Sequence, residues 1–170
     1  DDLKIGTIAD LIHHRLLHEK TVDLLEQGEI NTDHGPFTIN VFQDSTDGET
    51  HLALVKGSPS ADDPTLVRVH AGSAVRDMLG AQLNDKPDWN IQRCLAAIEK
   101  EGCGVLVLLA THNTSVDWLE DAQIALGRRA KPAVLVTKGS DSLTIGVGSQ
   151  ILRQLGVQKI RLMGPDKHYS

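Results

Sequence analysis

WNIQRCLAAIEKEGCGVLVLLA, residues 89–110, changes character halfway along. Trp89 to Glu101 places its apolar residues at helical spacing, and Gly102 closes the pattern as a C-terminal stop. GVLVLLA then runs apolar without alternation, which marks a strand buried on both faces. A helix that feeds such a strand is the signature of an α/β domain.

The same grammar extends outward in both directions. LVRVH (66–70) alternates as a strand, and SPSADDP (58–64) before it is an exposed loop. TINVFQD (38–44) and HLALVKG (51–57) alternate on either side of the turn STDGET (45–50), which predicts a hairpin. Residues Thr7 to Gln27 read as a helix: Ile8, Leu11, Ile12, Leu16 and Leu17 fall at helical spacing, Thr7 caps, and Gly28 stops it. The segment NTDHGPF (31–37) follows as a punctuated connection. Towards the C-terminus, Val116–Leu126 predicts a short helix and AVLVTKG (133–139) a short strand. Ile145–Leu155 predicts a helix ended by Gly156, and VQKIRLMG (157–164) the last strand. The expected fold class is α/β, with a mixed sheet flanked by helices.

The 170 residues suffice for a sizeable core. Aromatic residues make up only 3% of the chain, so that core must be aliphatic. A net charge of -6 lacks the basic stripe that a nucleic-acid surface needs. No apolar run approaches the roughly 18 residues of a membrane helix. The opening, DDLKIGTIADLIHHRLLHEK, lacks the order of a signal peptide and an initiator Met. The chain therefore reads as a cytoplasmic protein, and as a fragment or processed product. Cys94 and Cys103 form no CxxC pair and read as reduced, largely buried thiols.

Several polar groups invite a chemical reading beside a plainer one. His14 and His18 lie at i and i+4, a spacing able to hold a metal, yet no carboxylate or thiolate motif accompanies them. A solvated helix face is favoured for these and for His13. Asp62-Asp63, flanked by prolines, reads as a solvated turn. Ser73, His70 and Asp77 lie close in sequence, but no GxSxG elbow presents a nucleophile. Gly146 and Gly148 fall at the expected start of the last helix, where backbone amides receive anions, and tight helix–sheet packing accounts for them equally well.

HLALVKG, LVRVH, AAIEKEGCGVLVLL and GVGSQILRQLGVQKIRLM, in that order, resemble consecutive segments of GTP cyclohydrolase II, the zinc enzyme that opens GTP at the head of riboflavin synthesis. The likeness begins near Gly35 and continues to the C-terminus. LKIGTIADLIHHRL near the start resembles the tail of 3,4-dihydroxy-2-butanone 4-phosphate synthase, which many bacteria fuse ahead of a cyclohydrolase domain. The resemblance divides the chain at residue 28. Residues 1–27 are then a helical linker from a synthase domain, and residues 28–170 are a GTP cyclohydrolase II-like domain. It implies a GTP cyclohydrolase II-like fold and a homodimer covalently linked to the synthase. Neither nucleic acid nor membrane is an expected partner.

The resemblance also shows what has changed. The family holds zinc with three thiolates from RVHSECLTGD and CDCG. Here Arg68, Val69 and His70 are kept, but Ser73 stands at the first Cys position. NDKPD (84–88) replaces the CDCG region. A hydroxyl, an amide and an ammonium are poor substitutes for thiolates. The phosphate-holding RQEGRGIGL becomes ATHNTSVDW (110–118). Leu143 stands at the proposed nucleophilic Arg of RDYGIGAQIL, Thr144 replaces its Asp, and TNNPRK becomes GPDKHY (164–169). No catalytic residue and no metal ligand is therefore expected. A relic ligand pocket would use Arg68, His70, Asp77, Asp141, Gly146 and Gly148. For Arg68 and His70 the plainer reading is leftover strand-end residues satisfied by water or Asp77; for Asp141 it is a cap.

The function expected is a noncatalytic cyclohydrolase II-like domain with a regulatory, scaffolding or dimerising role. The alternative is a small-molecule module that binds a nucleotide or flavin in the altered pocket. No cofactor is expected here. Any enzyme activity of the parent protein would be that of the synthase, a lyase that converts ribulose 5-phosphate to 3,4-dihydroxy-2-butanone 4-phosphate and formate with Mg2+.

Overall fold

A computed structural model of the chain describes residues 19–82, 89–110, 123, 126–128 and 140–164. Among these, strands β1 (Val22–Thr32), β2 (Gly35–Asp44), β3 (Thr50–Lys56), β4 (Thr65–Ala71), β5 (Gly104–Leu109) and β6 (Ile160–Leu162) form a mixed sheet. Their order is β1-β2-β3-β5-β4-β6. β1, β2, β3 and β5 pair antiparallel in succession, while β4 runs parallel to both β5 and β6.

Helices cover the two faces. α1 (Ile91–Glu101) bridges β4 and β5, the crossover that a parallel pair requires. It buries Cys94, Leu95 and Ile98 against Phe37, Leu54, Leu106 and Met163. α2 (Ser140–Gln154) lies on the other face, where Val147, Ile151 and Leu152 join Val22, Phe42, Ala53, Val67, Val105 and Val107. β5 contributes Leu106 to the first core and Val105, Val107 and Leu109 to the second, so its sequence needs no polar alternation. The β2–β3 hairpin, the strand at 66–70 and the helix starting near Trp89 follow their sequence patterns. The helix and strand expected at 116–126 and 133–139 lie almost wholly outside the described residues.

The helix expected over Thr7–Gln27 requires correction. Residues 7–18 lie outside the described range, but Val22–Gln27 belong to β1, which continues through Gly28 to Thr32. Only Val22 is buried in this strand, so its own pattern of apolar residues does not create it. Pairing with β2 does, from Val22 opposite Asp44 to Thr32 opposite Gly35, across a turn that closes on Gly35 at φ 91°. Partner strands override local helical spacing here.

Candidate functional site

The carboxyl ends of parallel strands are where an α/β sheet presents its chemistry. β4 alternates there. Val67 and Val69 face the α2 side, and Leu66 packs on the α1 side. His70, one step before the strand's end, pairs in register with Leu108 of β5 and is 1% exposed. Arg68 sends Nη1 to the Met163 carbonyl at 2.8 Å, which ties β4 to the chain beyond β6.

Beyond Ala71 the chain makes a five-residue π-helical turn, Ala74–Met78. Ser73 caps it: its Oγ accepts from Arg76 N–H at 3.4 Å, and its carbonyl accepts from Asp77 N–H at 2.8 Å. The wide turn directs Asp77 inward. Asp77 Oδ2 accepts from His70 Nε2 and from Ser73 N–H, both at 2.8 Å. Its other oxygen accepts from Ile91 N–H at 3.1 Å, at the start of α1. One carboxylate thus joins β4, the turn and the helix.

Arg76 completes the group. Its Nη2 donates to the Ala71 carbonyl at 2.9 Å and lies 3.6 Å from Asp77 Oδ2. The same nitrogen is 3.3 Å from His70 Nε2. Because His70 Nε2 must carry a proton to donate to the carboxylate, that last approach brings two donors together and is not a hydrogen bond. Burial opposes ionisation of Asp77, but hydrogen bonds from His70 and Ser73 and the charges of His70 and Arg76 prevail. They hold its pKa at about 2.

This geometry does not build a hydrolase. Asp77 meets Ser73 through the backbone N–H, while the Ser73 hydroxyl faces Arg76 N–H. His70 therefore does not activate a nucleophile through the observed bonds. Nor does the donor set suit zinc. Cys94 is fully buried in α1, and burial pushes its thiol up to about 11. Cys103 precedes β5 at the sheet end where Gly104 pairs with Leu66, away from Ser73. No cluster of three or more His, Cys, Asp or Glu able to hold a metal occurs among the described residues.

The structure separates the remaining candidates. Asp141 falls in the first turn of α2, which begins at Ser140, five residues before the expected start. That earlier start corrects the reading of Gly146 and Gly148. Both lie inside the helix, past the four amides that an N-terminus leaves unpaired. Gly148 instead packs on β4, where an added Cβ would sit 3.5 Å from a Val69 methyl. The sequence reading missed Arg76, whose only signal was a charged pair after a strand. It also missed His51, which is 4% exposed and accepts from Ala110 N–H at 3.1 Å through Nδ1. Burial lowers the pKa of His51, against the opposing pull of Asp47, Asp44 and Glu49.

The sheet order and the crossover through α1 define an α/β domain with a mixed sheet, and β4 carries Arg68 and His70 to its carboxyl end. The family model for GTP cyclohydrolase II matches residues 24–170, and the chain belongs to that family. It is 38% identical over 170 residues to the 3,4-dihydroxy-2-butanone 4-phosphate synthase of Pseudomonas syringae pv. tomato, covering 99% of this chain and 45% of that protein. It is 35% identical over 176 residues to the riboflavin biosynthesis protein RibBA of Aquifex aeolicus, covering 95% of this chain and 41% of that one. A solved structure, RibBX, a two-domain 3,4-dihydroxy-2-butanone 4-phosphate synthase from A. baumannii, matches with a TM-score of 0.62 and 34% identity. The match covers 98% of this chain and 41% of that one. The chain therefore spans less than half the length of these relatives.

Proposed function

We propose that this chain is a GTP cyclohydrolase II-like domain that has lost the cyclohydrolase reaction and serves a covalently linked 3,4-dihydroxy-2-butanone 4-phosphate synthase. Its role is support, self-association as a homodimer, or regulation. The observation that carries this reading is the Asp77–His70–Arg76 group. The carboxylate uses both oxygens on groups of its own domain, and Ser73 replaces the thiolate that the family's metal requires. A neutral hydroxyl engaged in capping supplies neither a zinc ligand nor a nucleophile. The test is formate release from GTP by the purified chain with zinc added. Background rates support the reading, and turnover with stoichiometric zinc overturns it.

A second reading draws on a different observation. His70 Nδ1 and Arg76 Nε are buried without a hydrogen-bond partner among the described residues. Such atoms point to an unseen water or ligand. Calorimetric titration with GTP, GDP, FMN and ribulose 5-phosphate decides it. Saturation below millimolar ligand makes the domain a binding module, and silence across the panel favours the scaffold.

A further inference from the structure

The chain enters the sheet at Thr21 and Val22, and every main-chain polar group of these two residues is engaged by residues distant in sequence. Gln150 Oε1 accepts from Thr21 N–H at 2.9 Å and from Val22 N–H at 3.2 Å. Its Nε2 donates to Thr21 Oγ1 at 3.2 Å. One helical turn later, Gln154 Nε2 donates to the Val22 carbonyl at 2.6 Å. The Thr21 carbonyl receives Ser45 N–H at 2.8 Å and the Ser45 hydroxyl at 3.0 Å.

Residues four apart project from one side of a helix, so the two amides make a fork. Gln150 is 8% exposed, and a buried amide is costly unless its donor and acceptor are both used, as they are here. Beyond Val22, no residue of β1 is fully buried. β1 is thus held in place by its pairing with β2 and by this fork at its first residue.

We propose that Gln150 and Gln154 form a two-pronged clamp that makes α2 the element registering the position of whatever precedes Thr21. A displacement of the N-terminal segment passes to α2 and, where Gly148 packs on Val69, to the strand that carries Arg68 and His70. The clamp holds whether or not the domain has kept any activity, so it stands apart from the loss of the cyclohydrolase reaction.

The experiment is residue-resolved amide exchange and chemical-shift mapping by NMR on the 170-residue chain. In Gln150→Leu, which removes the acceptor of both amides, exchange at Thr21 and Val22 accelerates by about tenfold or more, while the β2–β3 hairpin keeps its rates. Thr21→Val shifts the amides of Val147–Ile151 in the parent chain, and those shifts vanish in the Gln150→Leu background. Should Gln150→Leu fail to fold, Gln154→Leu removes the prong on the Val22 carbonyl at an exposed position and is read from a shift of the adjoining Asp23 amide. Unchanged exchange at Thr21 and Val22 in Gln150→Leu, or an unmoved Asp23 amide in Gln154→Leu, overturns the clamp. So does an equal acceleration across the whole sheet, which reports lost stability alone. Shifts that stop at the neighbours of Thr21 overturn the transmission to α2.

Discussion

Asp77 receives the His70 ring at 2.8 Å on one oxygen and the first amide of α1 at 3.1 Å on the other. The turn after β4 and the helix that leads to β5 therefore share a single charge. Its side chain is 7% exposed and that of His70 is 0%, so bulk water has little access to either partner. Removing one member of a buried charged group strands the others and costs about 3–5 kcal/mol. Asp77→Ala should fall in that range in urea unfolding. Asp77→Asn, which keeps an acceptor but loses the charge, should cost less. A loss under about 1 kcal/mol for Asp77→Ala, the size of an ordinary surface substitution, would show that the group is not coupled.

The same carboxylate makes stability depend on acidity. Its pKa is 3.8 in the free state and about 2 in the fold, so the unfolded chain takes up the proton first as pH falls. The contribution is complete above about pH 4 and disappears towards pH 2, with a size of roughly 2 kcal/mol. Urea titrations at pH 5 and pH 3 should show the loss in the parent chain and a smaller one in Asp77→Asn. Equal losses in both would assign the acid sensitivity to other groups.

His51 works in a higher window. Burial lowers its pKa below 6.5 while its Nδ1 accepts from Ala110 N–H. The unfolded chain binds this proton before the folded one does. Stability from this residue is therefore complete above pH 6.5 and falls as the pH drops below it. His51→Gln retains an acceptor for Ala110 but cannot titrate. The parent should lose more stability than His51→Gln between about pH 7 and pH 5. Parallel curves would refute the assignment.

How much of this was legible in the sequence depended on where the controlling contacts lie. β5 and α1 could be read because both cores press on their own side chains, and the pattern records it. β1 could not, because a partner strand across the turn at Gly35 defines it rather than burial of its residues. Arg68 and His70 were visible as a strand end. Asp77 was visible as a partner for His70, and the ring does meet it. The wide turn that brings it inward and its second bond to Ile91 N–H were not, since neither leaves a strong composition signal. Gln150 looked like an ordinary helix residue, and its partners at Thr21 and Val22 lie 129 and 128 positions away.

Gly57 and Gly102 offer a test of backbone packing at the other end of the sheet. Both have positive φ, 69° and 80°. A Cβ on Gly57 would lie 2.6 Å from the Gly102 carbonyl oxygen, whereas one on Gly102 would meet nothing within 4 Å. Gly102→Ala thus carries only the left-handed penalty, about 1 kcal/mol. Gly57→Ala adds a backbone clash and should cost about 2–4 kcal/mol. Similar midpoints for the two variants in urea would contradict the close approach.

The two thiols should behave as different chemical species. Cys94 is fully buried on α1, and its thiol, pushed up to about 11, stays protonated at neutral pH. The thiolate is the form that attacks disulfides or binds a metal, so Cys94 is inert in the folded chain. Cys103 is only half-buried at the entry to β5. An aromatic disulfide reagent at pH 8 should therefore modify a single thiol in native buffer and release the second only with denaturant. Cys103→Ser should abolish the native reaction, and Cys94→Ser should leave it intact. Equal rates for both thiols in native buffer would mean that α1 opens readily from the sheet, against the packing of Cys94, Leu95 and Ile98 on Leu106.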